Sequence, residues 1–222
     1  MSLSPCVVQA LPRSTWETRS MRVAVLVPIK DFRQAKQRLI PVLSPDERIE
    51  LARRMATRVI TAAAPYDVFV VCDDHDVAAF AKDLDAEVLW RPSLGLNGAI
   101  SEGVQYIGRT AERVLIAHSD LPLARSFDEV MDTEDVAIVP DRHGRGTNVI
   151  ALPASRSFSF HFGTGSYLAH QREAALHGLR VHHIVDRCLG WDVDTPEDLD
   201  HPDLQELLAW LPPRSPRKEF LS

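Results

Sequence analysis

Short, strongly apolar segments alternate with longer amphipathic ones along this chain, and this alternation constrains its fold more than any other feature. Fully apolar runs of four to seven residues are typical of strands that are covered on both faces. Strands that alternate with helices predict an α/β fold, here a single Rossmann-like domain with a mostly parallel central sheet and helices on both faces. The predicted strands are Val23–Pro28, Val68–Cys72, Val88–Trp90, Val114–Ala117, Val136–Pro140, Asn148–Leu152, Val181–Val185 and Trp191–Val193.

Helix-start signals lie between these strands. The clearest is Ser44 followed by Pro45 and Glu47, since the serine can cap, proline suits the first turn and glutamate completes a capping box. Asn97 is predicted to cap a second helix that ends near Ile107. Further helices are predicted over Val77–Leu84, over Gly165–His177 and from Thr195-Pro196-Glu197-Asp198 onward.

The chain of 222 residues suits one sizeable domain, which we assign to residues 21–211. Residues 1–20 contain two prolines and no apolar period, so they are predicted to be a disordered extension. The proline-rich, basic residues 212–222 are predicted to form a flexible tail.

Composition excludes several classes of partner. The net charge of −6 argues against a nucleic-acid partner. No apolar run approaches the roughly 20 residues that span a bilayer, so no membrane association is expected. Three widely spaced cysteines, Cys6, Cys72 and Cys188, favour a reducing cytoplasm over a disulfide framework or a zinc site.

A basic segment follows the first predicted strand directly. Lys30, Arg33, Lys36 and Arg38 fall within nine residues, and their mutual repulsion would be relieved by a polyphosphate. The alternative is a solvated basic helix face. The segment lacks the glycine pattern of a P-loop.

Carboxylates follow two later strands. Asp120 ends the segment after Val114–Ala117, and Asp192 and Asp194 lie in the sequence WDVDTP. Carboxylate oxygens suit Mg²⁺, which proteins hold with one or two such groups together with substrate phosphates. The alternative is that Asp192 and Asp194 only cap or solvate the turn into the last helix.

Glycine-rich loops supply candidate anion sites. Gly144–Thr147 precedes a strand and Gly163–Ser166 opens a helix, where unpaired N–H groups favour an anion. Gly95-Leu96-Asn97-Gly98 begins another helix, and the Asn97 amide could contact a base or ribose or could simply cap the helix. The sequence has no nucleophile elbow, so covalent catalysis is not expected.

Taken together, these segments resemble the guanylyltransferases of coenzyme F420 biosynthesis, which activate 2-phospho-L-lactate, phosphoenolpyruvate or 3-phosphoglycerate with GTP. The resemblance runs from about Val23 to Leu199. It implies a nucleotidyltransferase domain of the nucleotide-diphospho-sugar transferase type, a requirement for Mg²⁺ and a homodimer. The stretches that carry it are, in order, VPIKDFRQAKQRL, LSPDER, GLNGAI, SDLPL, PDRHGRGTNVIAL, FHFGTGSYLAH and DVDTPEDL.

The resemblance also implies residue roles. The catalytic residues would be Lys30, Lys36, Arg38 and Asp120, the nucleotide-binding ones Lys30, Lys36, Arg38, Asn97 and Gly98, the acid-binding ones Thr147, Gly163 and Ser166, and the magnesium ligands Asp120, Asp192 and Asp194. One departure is Asp31-Phe32, since the family often has proline after the first lysine. An acidic residue at position 31 weakens the local positive field around Lys30.

Two other functions remain open at this stage. One is another nucleotidyltransferase, using CTP or a sugar phosphate or serving the molybdenum cofactor; such enzymes commonly have a glycine-rich loop where this chain has Pro28-Ile29-Lys30-Asp31. The other is a non-catalytic nucleotide-sensing domain, which would keep the basic segment but would not need the carboxylates. His143, before Thr147, adds a donor that could favour the extra hydroxyl of 3-phosphoglycerate.

Overall fold

A computed structural model describes residues 22–212 of the protein, and its centre is one seven-stranded sheet. The strands are β1 (Val23–Pro28), β2 (Asp67–Cys72), β3 (Glu87–Trp90), β4 (Arg113–Ala117), β5 (Val136–Pro140), β6 (Thr147–Pro153) and β7 (Val181–His183). The order across the sheet is β3-β2-β1-β4-β6-β5-β7. β6 runs antiparallel to both of its neighbours, whereas the other neighbouring pairs are parallel. The predicted α/β fold with a mostly parallel sheet is therefore confirmed.

Helices cover both faces of the sheet. They are α1 (Pro45–Ala62), α2 (His75–Asp83), α3 (Gly95–Ile107), α4 (Asp128–Met131), α5 (Ser166–Leu176) and α6 (Gln205–Leu208). Side chains of β1 alternate between the two faces, so Val25 and Val27 pack against α1, α2 and α4, while Ala24 and Leu26 pack against α3 and α5. A smaller apolar cluster joins α1 to the short C-terminal helices.

The start of α1 is as predicted. The Ser44 hydroxyl accepts a hydrogen bond from the Glu47 backbone N–H, and the Glu47 carboxylate accepts one from the Ser44 N–H at 2.7 Å. This capping box satisfies two backbone donors that no carbonyl of the helix can reach.

The reversed direction of β6 decides what meets at one edge of the sheet. Parallel strands β1, β4 and β5 end at this edge, and antiparallel β6 begins there with Thr147. Residues after β4, between β5 and β6, and at the start of β6 therefore lie side by side. Ligands of open α/β sheets bind at such an edge.

Three predicted elements differ in the structure. Trp191–Val193 is not a strand, because its backbone groups bond to a loop and to side chains: the Val193 N–H reaches the Asp120 carbonyl, and the Asp192 carbonyl accepts from Arg142. The predicted last helix is divided into 3-10 helices Pro196–Asp200 and Pro202–Leu204 and then α6. Pro202 has no N–H and holds His201 extended, which interrupts the helix.

The third difference concerns α3, which begins three residues earlier than predicted, at Gly95 instead of Gly98. Leu94 occupies the cap position, so the prediction of Asn97 as the helix cap is wrong. Two 3-10 helices in the basic segment, Phe32–Gln34 and Gln37–Leu39, were not predicted. No helix within residues 22–212 is long and apolar enough to cross a membrane. Residues 1–20 and the tail beyond Pro212 lie outside the described residues.

Candidate active site

A cavity of about 510 Å³ opens at the sheet edge where β6 begins. We call it the acid cavity. It brings together residues from four separate predicted motifs: the basic segment, the carboxylates and the two glycine-rich loops. Of the predicted site residues, its lining includes Arg38, Asp120, Thr147, Gly163, Ser166, Asp192 and Asp194.

Lys36 reaches the predicted metal carboxylates. Its backbone adopts φ 54°, in the left-handed region that non-glycine residues rarely enter. Its ammonium lies 2.5 Å from an Asp120 oxygen and 3.1 Å from an Asp194 oxygen, and the side chain is 9% exposed. Burial lowers the Lys36 pKa, but the two carboxylates more than offset this, so the pKa lies above its ordinary value.

The aspartate cluster, consisting of Asp120, Asp192 and Asp194, concentrates negative charge. Burial, together with repulsion from Asp120 and Asp194, raises the pKa of Asp192. Asp120 differs: burial alone would raise its pKa, but the Lys36 ammonium holds it below the ordinary value. Arg38 is 3.7 Å from Asp194 and largely exposed. The only cations of the basic segment that reach this cluster are thus Lys36 and Arg38, among the residues described.

The donor set suits a hard divalent cation. Oδ1 of Asp120 is buried, and no hydrogen-bond donor reaches it within the described part of the chain. A cation would satisfy this oxygen and would relieve the crowding that raises the pKa of Asp192. Within residues 22–212, no group of three or more histidine, cysteine, aspartate or glutamate side chains is already arranged to hold a metal, and the Lys36 ammonium lies between Asp120 and Asp194.

Arg142 and Asp198 hold the loop that carries Asp192 and Asp194. The Arg142 guanidinium pairs with the buried Asp198 carboxylate, donates to the Asp192 carbonyl at 3.1 Å and lies over the Trp191 ring. The other Asp198 oxygen accepts the N–H groups of Asp194 and Thr195 at 2.7 and 2.6 Å. Because these side chains bind the backbone of the loop directly, the loop is fixed without a strand ladder.

The acid-binding candidates are held by mutual hydrogen bonds. The Thr147 N–H donates to the Ser166 hydroxyl at 2.9 Å, so β6 and the start of α5 are joined directly. The preceding loop is organised by Asp141, whose carboxylate accepts the N–H groups of His143, Arg145 and Gly146. Gly163 has φ 131°, a conformation that other residues rarely adopt.

Lys30 lies apart from the acid cavity. It is exposed and lines a second cleft of about 250 Å³ beyond the ends of β1 and β2, which we call the lysine cleft. Gly95, Leu96 and Arg91 line the same cleft. Arg33 points elsewhere, because it pairs with Asp31 and Asp74. The basic segment is therefore divided between two adjoining regions of the sheet edge rather than presented as one patch.

Asn97 and Gly98 do not belong to the lining of either cavity. The Asn97 carboxamide accepts the Phe162 N–H at 2.7 Å and donates to the Phe162 carbonyl at 3.2 Å. It thereby fixes the segment before Gly163. One N–H and one oxygen lone pair of Asn97 remain for a ligand, so its contact with a nucleotide stays a prediction.

A larger cleft of about 630 Å³ lies at the opposite edge, around Tyr66 and the start of β2. It is lined by three acidic residues, Asp67, Asp85 and Glu87, and by no lysine or arginine among the residues described. Its charge is therefore wrong for a phosphate or carboxylate ligand, which favours the acid cavity as the site.

Three residues at the site carry roles that the sequence did not suggest. Arg142 and Asp198 form the clamp, and their 56-residue separation left no local pattern to connect them. His170 contacts Thr147 from beneath. His170 follows Ser166 by four residues, which is about one helical turn, so both side chains lie on the same face of α5. This spacing, on a helix that begins at a glycine loop, was the signal in the sequence that could have identified His170 as part of the site.

Comparisons with known proteins agree with this geometry. Among solved structures, a nucleotidyl transferase from Methanothermobacter thermautotrophicus superposes with a TM-score of 0.59 at 15% identity, covering 80% of this chain and 94% of that one. A phosphoenolpyruvate guanylyltransferase from Sphaerobacter thermophilus is 34% identical over 191 residues, which cover 81% of this chain and 92% of that protein. A 2-phospho-L-lactate guanylyltransferase from Methanothermobacter thermautotrophicus is 35% identical over 187 residues, which cover 81% of this chain and 83% of that protein.

The fold, the charged sheet edge and these relatives define the protein as an enzyme of the nucleotidyltransferase class. The family model described as "Guanylyl transferase CofC like" matches residues 23–205. The chain belongs to this guanylyl transferase family.

Proposed function

We propose that this enzyme transfers GMP from GTP to a phosphorylated small carboxylic acid and releases pyrophosphate, as a step in coenzyme F420 biosynthesis. The observation that carries the proposal is the lining of the acid cavity. Hydroxyl and glycine groups suited to an anionic acid, at Thr147, Gly163 and Ser166, share one cavity with Asp120 and Asp192. The names of the relatives support guanylyl transfer to such an acid.

The chemistry needs little from the side chains except position and charge. The phosphate of the acid has a second pKa near about 6, so at neutral pH it is largely a dianion and already a nucleophile. Its oxygen forms a bond to the α-phosphorus of GTP as the bond from that phosphorus to the bridging oxygen of pyrophosphate breaks. No side-chain base is required, since no proton has to leave the nucleophile.

The cations of the basic segment would balance the charge that develops on the leaving group. We assign Lys30, Lys36 and Arg38 to the phosphates of GTP, and we assign the guanosine to the region of Asn97 and Gly98. The lysine cleft beside Lys30 lies next to this helix start, which supports the assignment.

We further propose that Mg²⁺ is the required metal, with Asp120, Asp192 and Asp194 as the residues that would hold it. When bound, the ion supplies positive charge that lets two polyanions approach one another. The unsatisfied Asp120 oxygen supports this assignment.

Three acids are candidates for the acceptor. Phosphoenolpyruvate and 2-phospho-L-lactate are named in relatives, and 3-phosphoglycerate comes from the family resemblance. His143, which lines the acid cavity, would favour 3-phosphoglycerate by donating to its hydroxyl. Equal turnover of all three acids by the parent and by His143→Ala would remove this hypothesis. The homodimer and the cytoplasmic location stay predictions.

The deciding experiment supplies the full-length protein with GTP, Mg²⁺ and each acid in separate reactions. We expect a diphosphoguanosine product from at least one acid, detected by mass and trapped by a coupled downstream enzyme because such products decompose readily. CTP serves as the control nucleotide. Transfer from CTP but not from GTP, or no product with any of the three acids, would contradict the proposal.

An Asp120→Asn variant separates an enzyme from a nucleotide sensor. We expect transfer to fall by about a thousandfold or more, since charge stabilisation contributes this much in phosphoryl transfer. Asp83→Asn, at an exposed position of α2 remote from the site, is the matched control and should keep full activity. A nucleotide response that survives Asp120→Asn, without any transfer by the parent, would indicate a sensor.

A further inference from the structure

His170 is a fully buried histidine beneath the acid cavity. It lies on α5, is 0% exposed and is surrounded by the rings of Phe158, Phe160 and Phe162, with the Phe162 ring 4.8 Å away in an edge-on contact. An apolar side chain could pack among these three aromatic rings as well as a histidine does. The polar contacts of the imidazole therefore need their own explanation.

Two hydrogen bonds determine which ring nitrogen carries the proton. The backbone N–H of His161 donates to Nε2 of His170 at 3.0 Å. A backbone N–H can only donate, so Nε2 must be the unprotonated nitrogen and the ring is neutral. Burial, with repulsion from His161 and His118, lowers the pKa of His170 to about 4, which agrees with a neutral ring. The proton of the neutral imidazole therefore resides on Nδ1.

Nδ1 lies 3.0 Å from the Thr147 hydroxyl oxygen. Since Nδ1 carries the proton, this oxygen accepts, and the hydroxyl must direct its own hydrogen elsewhere. No acceptor for that hydrogen is present among the described residues, and Thr147 lines the acid cavity. The Ser166 hydroxyl likewise keeps its hydrogen for a ligand, because its oxygen accepts the Thr147 N–H and the residue lines the same cavity.

We propose that His170 is a positioning residue: its Nδ1–H, fixed by the His161 backbone, turns the Thr147 hydroxyl into a hydrogen-bond donor aimed at an anionic oxygen of the acceptor acid. This inference rests on the proposed function for the identity of the acid. With Ser166 as a second donor, the cavity offers two hydroxyl hydrogens to one ligand. Such a pair selects a phosphate or carboxylate oxygen and disfavours a ligand that presents only donors.

The tautomer is testable without any activity. In the full-length protein labelled with ¹⁵N-histidine, the long-range ¹H–¹⁵N spectrum of His170, assigned by its absence in His170→Gln, should show a protonated Nδ1 and an unprotonated Nε2 at pH 7. A protonated Nε2 would overturn the proposal, because the Thr147 hydroxyl would then donate to the ring instead of to the cavity.

Two substitutions separate the contacts of the ring. His170→Asn keeps an amide donor near the position of Nδ1, whereas His170→Gln keeps an acceptor near Nε2 and loses the donor to Thr147. We expect His170→Gln to raise the KM for the acceptor acid by about tenfold to a hundredfold, the range for a lost hydrogen bond to a charged group. His170→Asn should raise it less. The KM for GTP should not change in either variant.

A double-mutant cycle with Thr147→Val identifies the route of the effect. If His170 acts through the Thr147 hydroxyl, His170→Gln adds no further rise in KM once that hydroxyl is gone. Independent, multiplicative effects, or equal rises in KM for GTP and for the acid, would overturn the proposal. If the parent transferred GMP to none of the acids, the proposed function would fail, while the tautomer measurement would still decide the role of His170.

Discussion

Lys36 shows how far a single side chain departs from what its sequence context suggests. The basic segment indicates a lysine that faces phosphate, yet the Lys36 ammonium lies between Asp120 and Asp194. The cause is its left-handed backbone, which turns the residue toward the aspartate cluster. No local pattern signals a positive φ at a lysine, so this contact could not be predicted.

Replacing Lys36 by methionine should have opposite effects on metal binding and on catalysis. The ammonium competes with a divalent cation for the same carboxylates, so we expect Mn²⁺ affinity without nucleotide to rise roughly tenfold. GMP transfer should fall by about a thousandfold, because a cation near the phosphates is lost. Electron paramagnetic resonance of unbound Mn²⁺ and steady-state kinetics measure the two effects.

Lys30→Met is the matched control for the metal measurement. Lys30 is exposed in the lysine cleft rather than paired with the aspartate cluster, so its loss should leave Mn²⁺ affinity unchanged. Weaker Mn²⁺ binding by Lys36→Met would contradict the expectation that the ammonium and the metal ion compete for the same carboxylates. It would indicate instead that the ammonium helps to arrange these carboxylates.

At the scale of elements, the predicted strands that lie in the sheet could be located within one or two residues. The apolar runs of β1, β4, β5 and β6 are buried on both faces, and this makes their pattern unambiguous. One strand prediction is wrong, and there side chains replace backbone pairing. Trp191–Val193 has the composition of a strand, but the Arg142–Asp198 clamp holds it as a loop, and such a long-range pair leaves no periodic signal.

Arg142→Met should loosen this loop. It leaves the Asp198 carboxylate buried without its guanidinium, although two backbone N–H groups still reach it. We expect a loss of about 2 kcal/mol in the free energy of unfolding. GMP transfer should also decrease, since the loop carries Asp192 and Asp194. Urea denaturation and steady-state kinetics test the two expectations.

Arg180→Met removes an exposed ion pair with Asp135 and provides the comparison. Exposed pairs contribute at most about 1 kcal/mol, so stability should change little and transfer should be unaffected. Equal losses of stability from Arg142→Met and Arg180→Met would mean that the clamp contributes no more than a surface contact.

At the scale of the whole molecule, the buried His170 links folding to pH. Its pKa is about 4 in the folded protein against an ordinary 6.5, because burial and the neighbouring His161 and His118 outweigh the attraction of Glu173. Between these values the unfolded chain binds the proton more readily. Stability is therefore full above about pH 6.5 and is lost as the pH falls toward 4.

From pH 7 to pH 5 this group should lower the free energy of unfolding by about 2 kcal/mol. In His170→Gln the fall in the free energy of unfolding between the two pH values should be smaller by that amount. The difference between parent and variant therefore separates the contribution of His170 from those of the other histidines. Urea unfolding at the two pH values gives the quantity directly. Identical pH dependence in parent and variant would show that His170 is protonated equally in both states.

The reversed strand β6 has a consequence for how such enzymes diversify. Because it begins where its neighbours end, the groups assigned to the acid come from segments 141–147 and 163–166, whereas those assigned to the nucleotide come mainly from 28–39 and 91–99. Substitutions of the residues that face the acid, such as Thr147 and Ser166, do not alter the residues of the second pair, whereas Arg142 must stay because its clamp holds the loop of Asp192 and Asp194. Lineages can thus exchange one small acid for another while the guanylyl chemistry is inherited intact.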